Sequence, residues 1–247
     1  MICECKVYEL VNPPKGRKVI SNWWLQTCTI SCKGFLLGQG IDFNQIFSPV
    51  VRFEIMYLML ALSALENWPI EAPDVWSAYL YGKLKEEIYI KQPEGFRVPR
   101  QEHKVLCLLH ALYGLKQAGL AWWETLNNSM KDLSFERLKS DVGIFLFWKK
   151  NTSIVVAVIY VDDALFCGPT KDLADEVKGA FMCKWKCRDL DPAKEFLHMR
   201  IQRNGSKILI DRCTYLSKCL RDSAWPMPDL LLPPSLKGII SYPTMVK

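Results

Sequence analysis

Ile154-Val155-Val156-Ala157-Val158-Ile159-Tyr160-Val161-Asp162-Asp163-Ala164-Leu165-Phe166-Cys167-Gly168 sets two adjacent carboxylates between two apolar runs. The first run is rich in β-branched residues and too short for a free-standing helix, so it reads as a strand; the second reads the same way. Together they predict an antiparallel hairpin with acid at its tip. Unpaired buried charge is expensive. A hard divalent cation, Mg²⁺ (or Mn²⁺), is the simplest partner for paired aspartate oxygens. The hairpin therefore reads as a holder for metal.

Working outward, a chain of 247 residues, half of them hydrophobic, can bury a sizeable core. That composition excludes a disordered polyelectrolyte. A net charge of +6 is mildly basic and suits a polyanionic partner without demanding one. Ten cysteines and three histidines show no C-x-x-C pair, so the thiols read as reduced core residues of an intracellular, cytoplasmic protein. No secretory leader is evident, and Ile55 to Leu65 is too short to span a bilayer, so no membrane association is expected.

Residues 1–50 read as irregular. Arg52 to Trp68 has helical periodicity, with Phe53, Met56, Leu60 and Ala64 in phase. Ile70 to Val75, Glu87 to Lys91 and Lys104 to Leu109 are strand candidates. Lys116 to Leu133 reads as an amphipathic helix with Leu120, Trp123, Leu126, Met130 and Leu133 on one side. Thr170 is placed to cap a helix over Lys171 to Cys183, and Asp191-Pro192 could open a short helix. Phe196 to Asp211 predicts a hairpin turning at Asn204-Gly205, and Thr214 to Ala224 a last helix. The mixture is α+β. Domain organisation is expected as one core over 1–222 followed by a proline-rich, linker-like tail over 223–247.

A third carboxylate, Asp74, ends a strand candidate upstream. Three carboxylates can hold two divalent ions ~4 Å apart, an arrangement suited to phosphoryl transfer. An ordered series of short stretches accompanies them. It runs Lys33-Gly34-Phe35, Gly40-Ile41-Asp42-Phe43, Phe47-Ser48-Pro49-Val50-Val51-Arg52, Asp74-Val75 with Ala78-Tyr79-Leu80, and Ile88 to Phe96. It continues with Ala111-Leu112-Tyr113-Gly114-Leu115-Lys116-Gln117-Ala118, Ser140-Asp141, Tyr160 to Asp163 and Glu195-Phe196-Leu197. In this order the series resembles the reverse transcriptase domain of copia-type LTR retrotransposon Pol polyproteins, over roughly residues 8–222.

The resemblance implies a right-hand polymerase with fingers and palm around a central antiparallel sheet, the thumb missing or rudimentary. It implies RNA-directed DNA polymerase activity on an RNA/DNA template-primer with deoxynucleoside triphosphates. Asp74 and Asp162 would be the principal metal ligands and Asp163 the third carboxylate. Backbone N–H groups of Val75, Trp76, Ser77 and Ala78 would face the triphosphate, and the Tyr79 ring would exclude a 2′-hydroxyl. Gly114, Lys116 and Gln117 would pack against the nascent base pair, and Lys33 would meet phosphate. Tyr160, Phe196 and Leu197 would touch the primer. Some also have a plain reading: Tyr79 as a core aromatic, Lys33 and Lys116 as solvated lysines, Phe196-Leu197 as apolar packing.

Departures from the family accompany the match. The fingers segment after Trp23-Trp24 is short, and Thr29 stands where the family carries an arginine. Pro73 precedes Asp74, where a strand would lose a ladder donor. Trp76 and Leu120 replace residues that are usually small or basic. These departures carry the alternative: a degenerate, catalytically inactive retroelement remnant with at most weak nucleic-acid binding.

Overall fold

A computed structural model describes residues 6–24, 30–150, 153–190 and 192–222. Its strands begin with β1 Tyr8–Val11, β2 Val19–Ile20, β3 Asn22–Trp24, β4 Ile30–Cys32, β5 Ile70–Glu71, β6 Pro73–Val75, β7 Lys83–Lys91 and β8 Val105–His110. They continue with β9 Glu136–Arg137, β10 Ile144–Lys149, β11 Ser153–Tyr160, β12 Asp163–Cys167, β13 Cys187–Asp189, β14 Glu195–Phe196, β15 Met199–Asn204 and β16 Lys207–Asp211. The α-helices are α1 Phe53–Leu65, α2 Ala118–Asp132, α3 Lys171–Lys184 and α4 Cys213–Asp222. The fold class is mixed α and β, in two compact units that meet in sequence at Pro192 and Ala193.

The predicted hairpin, β11 with β12, lies at the centre of the first unit's largest sheet. Its strand order is β13-β6-β12-β11-β10-β9, with β5 also paired to β12. Val155, Ala157, Ile159, Ala164 and Phe166 join one core with Trp122, Leu126 and Met130 of α2 and Leu173, Val177 and Phe181 of α3. Val156, Val158, Leu165 and Cys167, on the other face, are buried too. A strand covered on both faces needs an unbroken apolar run, and this sequence supplies one.

β5 and β6 follow one another along β12. Ile70 and Glu71 pair with Cys167 and Phe166, and Asp74 pairs with Asp163. Pro73 opens β6, a strand's first position, where a missing N–H is tolerated. A second sheet, β1-β8-β7-β2, packs Ile88, Ile90, Leu106 and Leu108 against Leu112, Leu115 and Ala118.

Several expectations are corrected. The described part of residues 1–50 carries four strands of two to four residues, too short for periodicity to register. The buried residues of α1 are Met56, Met59, Leu60 and Ser63, whereas Phe53 is exposed. An all-round apolar helix gives pattern reading no phase to find. Helix α2 likewise buries Ala118, Ala121, Trp122 and Asn127 beside Leu126 and Met130, and Trp123 is only partly buried. Strands β9, β10 and β13 lay outside every predicted element. Thr170 does cap α3, its Oγ1 accepting the Leu173 N–H at 3.4 Å.

In the second unit β14, β15 and β16 form a meander beside α4 in sequence. The β15–β16 turn falls at Gly205-Ser206, one residue later than predicted, with Gly205 at φ +59°. Leu197 and His198 make an unpredicted turn with φ 50° and 60°. Asp191 lies outside the described residues, and Pro192-Ala193 is a turn, not a helix start. Thr29 and the 223–247 tail also lie outside them. None of the seven cysteines among the described residues forms a disulfide, and Cys32 and Cys167 alone of these are buried, so most are not core thiols. No helix among the described residues is long and apolar enough to cross a membrane.

Candidate active site

Tyr160 pairs with Asp163, so Val161 and Asp162 form a two-residue turn between β11 and β12. Val161 sits at φ 55°, an unfavourable conformation for a β-branched residue. Strain of this kind costs roughly 1–3 kcal/mol and persists only where the surroundings impose it. Two hydrogen bonds do so here. The indole Nε1–H of Trp122 donates to Val161 O at 2.9 Å, and the Val75 N–H donates to Asp162 O at 2.9 Å.

The three aspartates are brought to one end of the sheet by register. Asp74 on β6 lies opposite Asp163 on β12, with Asp162 in the turn beside them. Asp162 Oδ2 accepts from the Tyr113 phenol at 3.3 Å, while its Oδ1 is buried with no hydrogen-bond partner. Burial, and the neighbouring Asp163 and Asp74 charges, push the Asp162 carboxyl up to about 6 despite the opposing Tyr113 hydrogen bond. On the other flank Arg188 of β13 lies opposite Asp74, and its Nη2 donates to Asp74 Oδ2 at 2.9 Å.

An oxygen-only donor set with an orphaned buried oxygen fits a hard divalent cation. As they stand, however, no three acidic, histidine or cysteine groups among the described residues are gathered closely enough to hold one.

Aromatic rings wall the turn. Tyr79 packs edge-on against Tyr113, ring centroids 4.8 Å apart. Burial and the Asp162 charge raise both phenols above their ordinary range. Tyr79 also packs against both cores of the unit, as its core-aromatic reading expects. Tyr160 is half-buried and meets Phe53 at 6.3 Å.

The stretch between Asp74 and Tyr79 differs from expectation. The Val75 and Trp76 N–H groups are already used, the latter on Lys186 O at 2.9 Å. Ser77 turns the chain at φ 53° into a 3-10 turn over Ala78–Tyr81. Trp76 is exposed, with the Lys186 ammonium 5.5 Å above its ring.

A second group of predicted residues meets just ahead of α2, around Gly114. Gly34 and Gly114 touch so closely that a Cβ on Gly34 would lie 2.0 Å from Gly114 O, and Gly114 itself has φ +86°. Cys32 N–H donates to Tyr113 O at 2.8 Å. The Lys33 ammonium lies over the Trp23 ring, and that of Lys116 over Phe43. Gln117 is buried and donates to Asp42 O at 3.3 Å. Phe196, buried, and Leu197 belong to the second unit.

Residues 5–227 match the family described as reverse transcriptase (RNA-dependent DNA polymerase). The chain belongs to that family. It is 33% identical over 228 residues to the retrovirus-related Pol polyprotein from transposon TNT 1-94 of Nicotiana tabacum, covering 86% of this chain and 17% of the relative. Against the Pol polyprotein from transposon RE1 of Arabidopsis thaliana it is 30% identical over 223 residues, covering 85% and 15%. The chain thus spans about a sixth of the length of these relatives, and it is a reverse transcriptase domain of the copia type.

For this reverse transcriptase domain, pattern reading missed four residues that touch the acidic turn or its flank: Tyr113, Trp122, Lys186 and Arg188. Tyr113 lay inside a quoted motif without a role. Arg188 had no signal, because its strand is three residues of Cys-Arg-Asp with no β pattern.

Proposed function

We propose that this domain carries the nucleotidyl-transfer site of an RNA-directed DNA polymerase, with Asp74, Asp162 and Asp163 as ligands for Mg²⁺ or Mn²⁺. The seven-stranded sheet with α2 and α3 is read as palm, the segments around β3, β4 and Lys33 as fingers, and residues 1–222 as the working core ahead of a linker-like tail. The single observation that carries the reading is the register: Asp74 opposite Asp163, with Asp162 beside them on an imposed turn. When bound, the metal would activate a primer 3′-hydroxyl and neutralise charge on the transferring phosphoryl group.

The chain's own residues supply placement. Tyr113 engages one oxygen of Asp162, and the other, buried without a hydrogen-bond partner, would be the one to take a cation. With the Val75 and Trp76 amides engaged in the sheet, Ser77 and Ala78 are the amides proposed to meet the triphosphate. Tyr79 would stand beneath the sugar and exclude a 2′-hydroxyl. Gly114, Lys116 and Gln117 would shape the base-pair side and Lys33 would approach phosphate. Tyr160 and Leu197 are proposed to meet the primer, Leu197 through its turn; Phe196, buried in its own unit, would support that turn and not touch the primer.

The test is primer extension on an oligo-primed RNA template with Mg²⁺ and deoxynucleotides, beside Asp162→Asn. Extension by the parent, reduced by about a thousandfold or more in the variant, supports the reading. A folded parent that extends nothing leaves the inactive-remnant reading in its place.

A further inference from the structure

The acidic turn presents a puzzle in charge. Three carboxylates share one sheet end, yet they are not gathered around a common point. One of the three, Asp74, is already engaged from the neighbouring strand. Arg188 is the register partner of Asp74 across the β6–β13 pair, and its guanidinium donates to Asp74 Oδ2 at 2.9 Å.

The backbone of Arg188 is not free to leave. Trp76 N–H donates to Lys186 O, and Leu190 N–H to Ala72 O, each at 2.9 Å, so β13 is tied to β6 on both sides of it. Next to Arg188, Asp189 meets the buried ammonium of Lys178 at 3.1 Å. Lys178 also meets Glu71 of β5 at 3.3 Å and Asp175 of its own helix at 3.1 Å. This charge cluster, buried at Lys178 and Glu71, anchors the edge strand to the sheet and to α3. The Arg188 side chain, by contrast, is 60% exposed against 20% for Asp74. It can swing into solvent while its strand stays in place.

From this juxtaposition we infer that Arg188 is a resident counter-cation of Asp74, which a divalent ion must displace to bind. The inference rests on reading the three aspartates as a metal site. A guanidinium and a divalent cation compete for the same carboxylate oxygen, and two positive charges cannot share it without repulsion. Arg188 balances Asp74 while the site holds no metal, and so sets the metal concentration at which the site assembles. Arg188 is therefore a positioning residue; its role is to hold Asp74, not to touch reacting atoms.

The experiment is a Mn²⁺ titration of the full chain followed by electron paramagnetic resonance, with no nucleotide or primer. Parent, Arg188→Gln, Arg188→Lys and Asp162→Asn are compared, and unfolding transitions in EDTA check that each is folded. The expected result is a Mn²⁺ midpoint lower by about fivefold in Arg188→Gln, the scale of one partly exposed ion pair, with Arg188→Lys close to the parent. An equal or higher midpoint in Arg188→Gln, with binding still lost in Asp162→Asn, overturns the inference and leaves the metal reading standing. Absence of Mn²⁺ binding in parent, Arg188→Gln and Arg188→Lys alike overturns both.

Discussion

The two flanks of the acidic sheet end are built on opposite principles. At the β11–β12 turn, Asp162 is fixed from inside: its backbone is strained through Val161, braced by Trp122 and Val75, and one carboxylate oxygen is left unanswered. At the β6–β13 edge, Asp74 is met by an exposed arginine on a strand anchored by a buried lysine. The interior half is rigid and electrostatically unfavourable; the edge half is balanced and can exchange its partner. A site that must accept a cation and release it benefits from both. Rigidity sets geometry, and the exchangeable pair keeps the empty state from repelling itself.

The contrast can be broken at either flank. The largest stability effect is expected at the anchor of the edge strand. Lys178→Met removes the buried ammonium shared by Glu71, Asp175 and Asp189. Breaking a buried pair from one side costs about 3–5 kcal/mol. Urea unfolding should show a loss near the lower figure, because exposed Lys171 still meets Glu71 at 3.2 Å. A loss below about 1 kcal/mol would mean that β13 is held by its backbone alone.

Next comes the brace of the turn. Trp122→Phe deletes the N–H that meets Val161 O and opens space in the core. The expected loss is about 2–3 kcal/mol. Primer extension should fall further than that of a core variant of equal stability, such as Phe181→Leu. Equal losses in both would show that Val161 needs no brace. The smallest effect is expected from Tyr113→Phe, about 1 kcal/mol in stability. The Tyr113 hydrogen bond lowers the Asp162 carboxyl, so its removal should lift that group further above about 6. A carboxyl-carbon NMR titration in EDTA would show it, and an unchanged midpoint would remove Tyr113 from the account.

How much of this was legible follows the same division. The interior half could be read because it is written in long, continuous signals: an unbroken β-branched run, adjacent aspartates, a capped helix after Thr170. Asp74 was found as the end of a strand. The edge half is carried by strands of two or three residues, whose pairing depends on what lies beside them. Cys187–Asp189 has no pattern, so Arg188 and its contact with Asp74 could not be anticipated. Trp122 and Trp123 stand side by side, and a helix phase error of one residue chose the wrong indole. The Leu197-His198 turn was invisible because it carries no Gly, Pro, Asn, Asp or Ser to mark it.

The most direct measurement is heat unfolding of the parent and Asp162→Asn in EDTA, from pH 3.5 to pH 8, repeated with Mg²⁺. The Asp162 carboxyl is raised from 3.8 to about 6 in the fold. Its ionised form therefore destabilises the folded state, with no penalty below pH 3.8 and the full penalty above about 6. In EDTA the variant should match the parent at pH 3.5 and exceed it at pH 8, by on the order of 2 kcal/mol after allowance for solvent screening. Mg²⁺ at pH 8 should raise the parent and leave the variant unchanged. A variant no more stable than the parent at pH 8, or an equal response of both to Mg²⁺, would contradict the claim that this turn holds an uncompensated carboxylate for a cation.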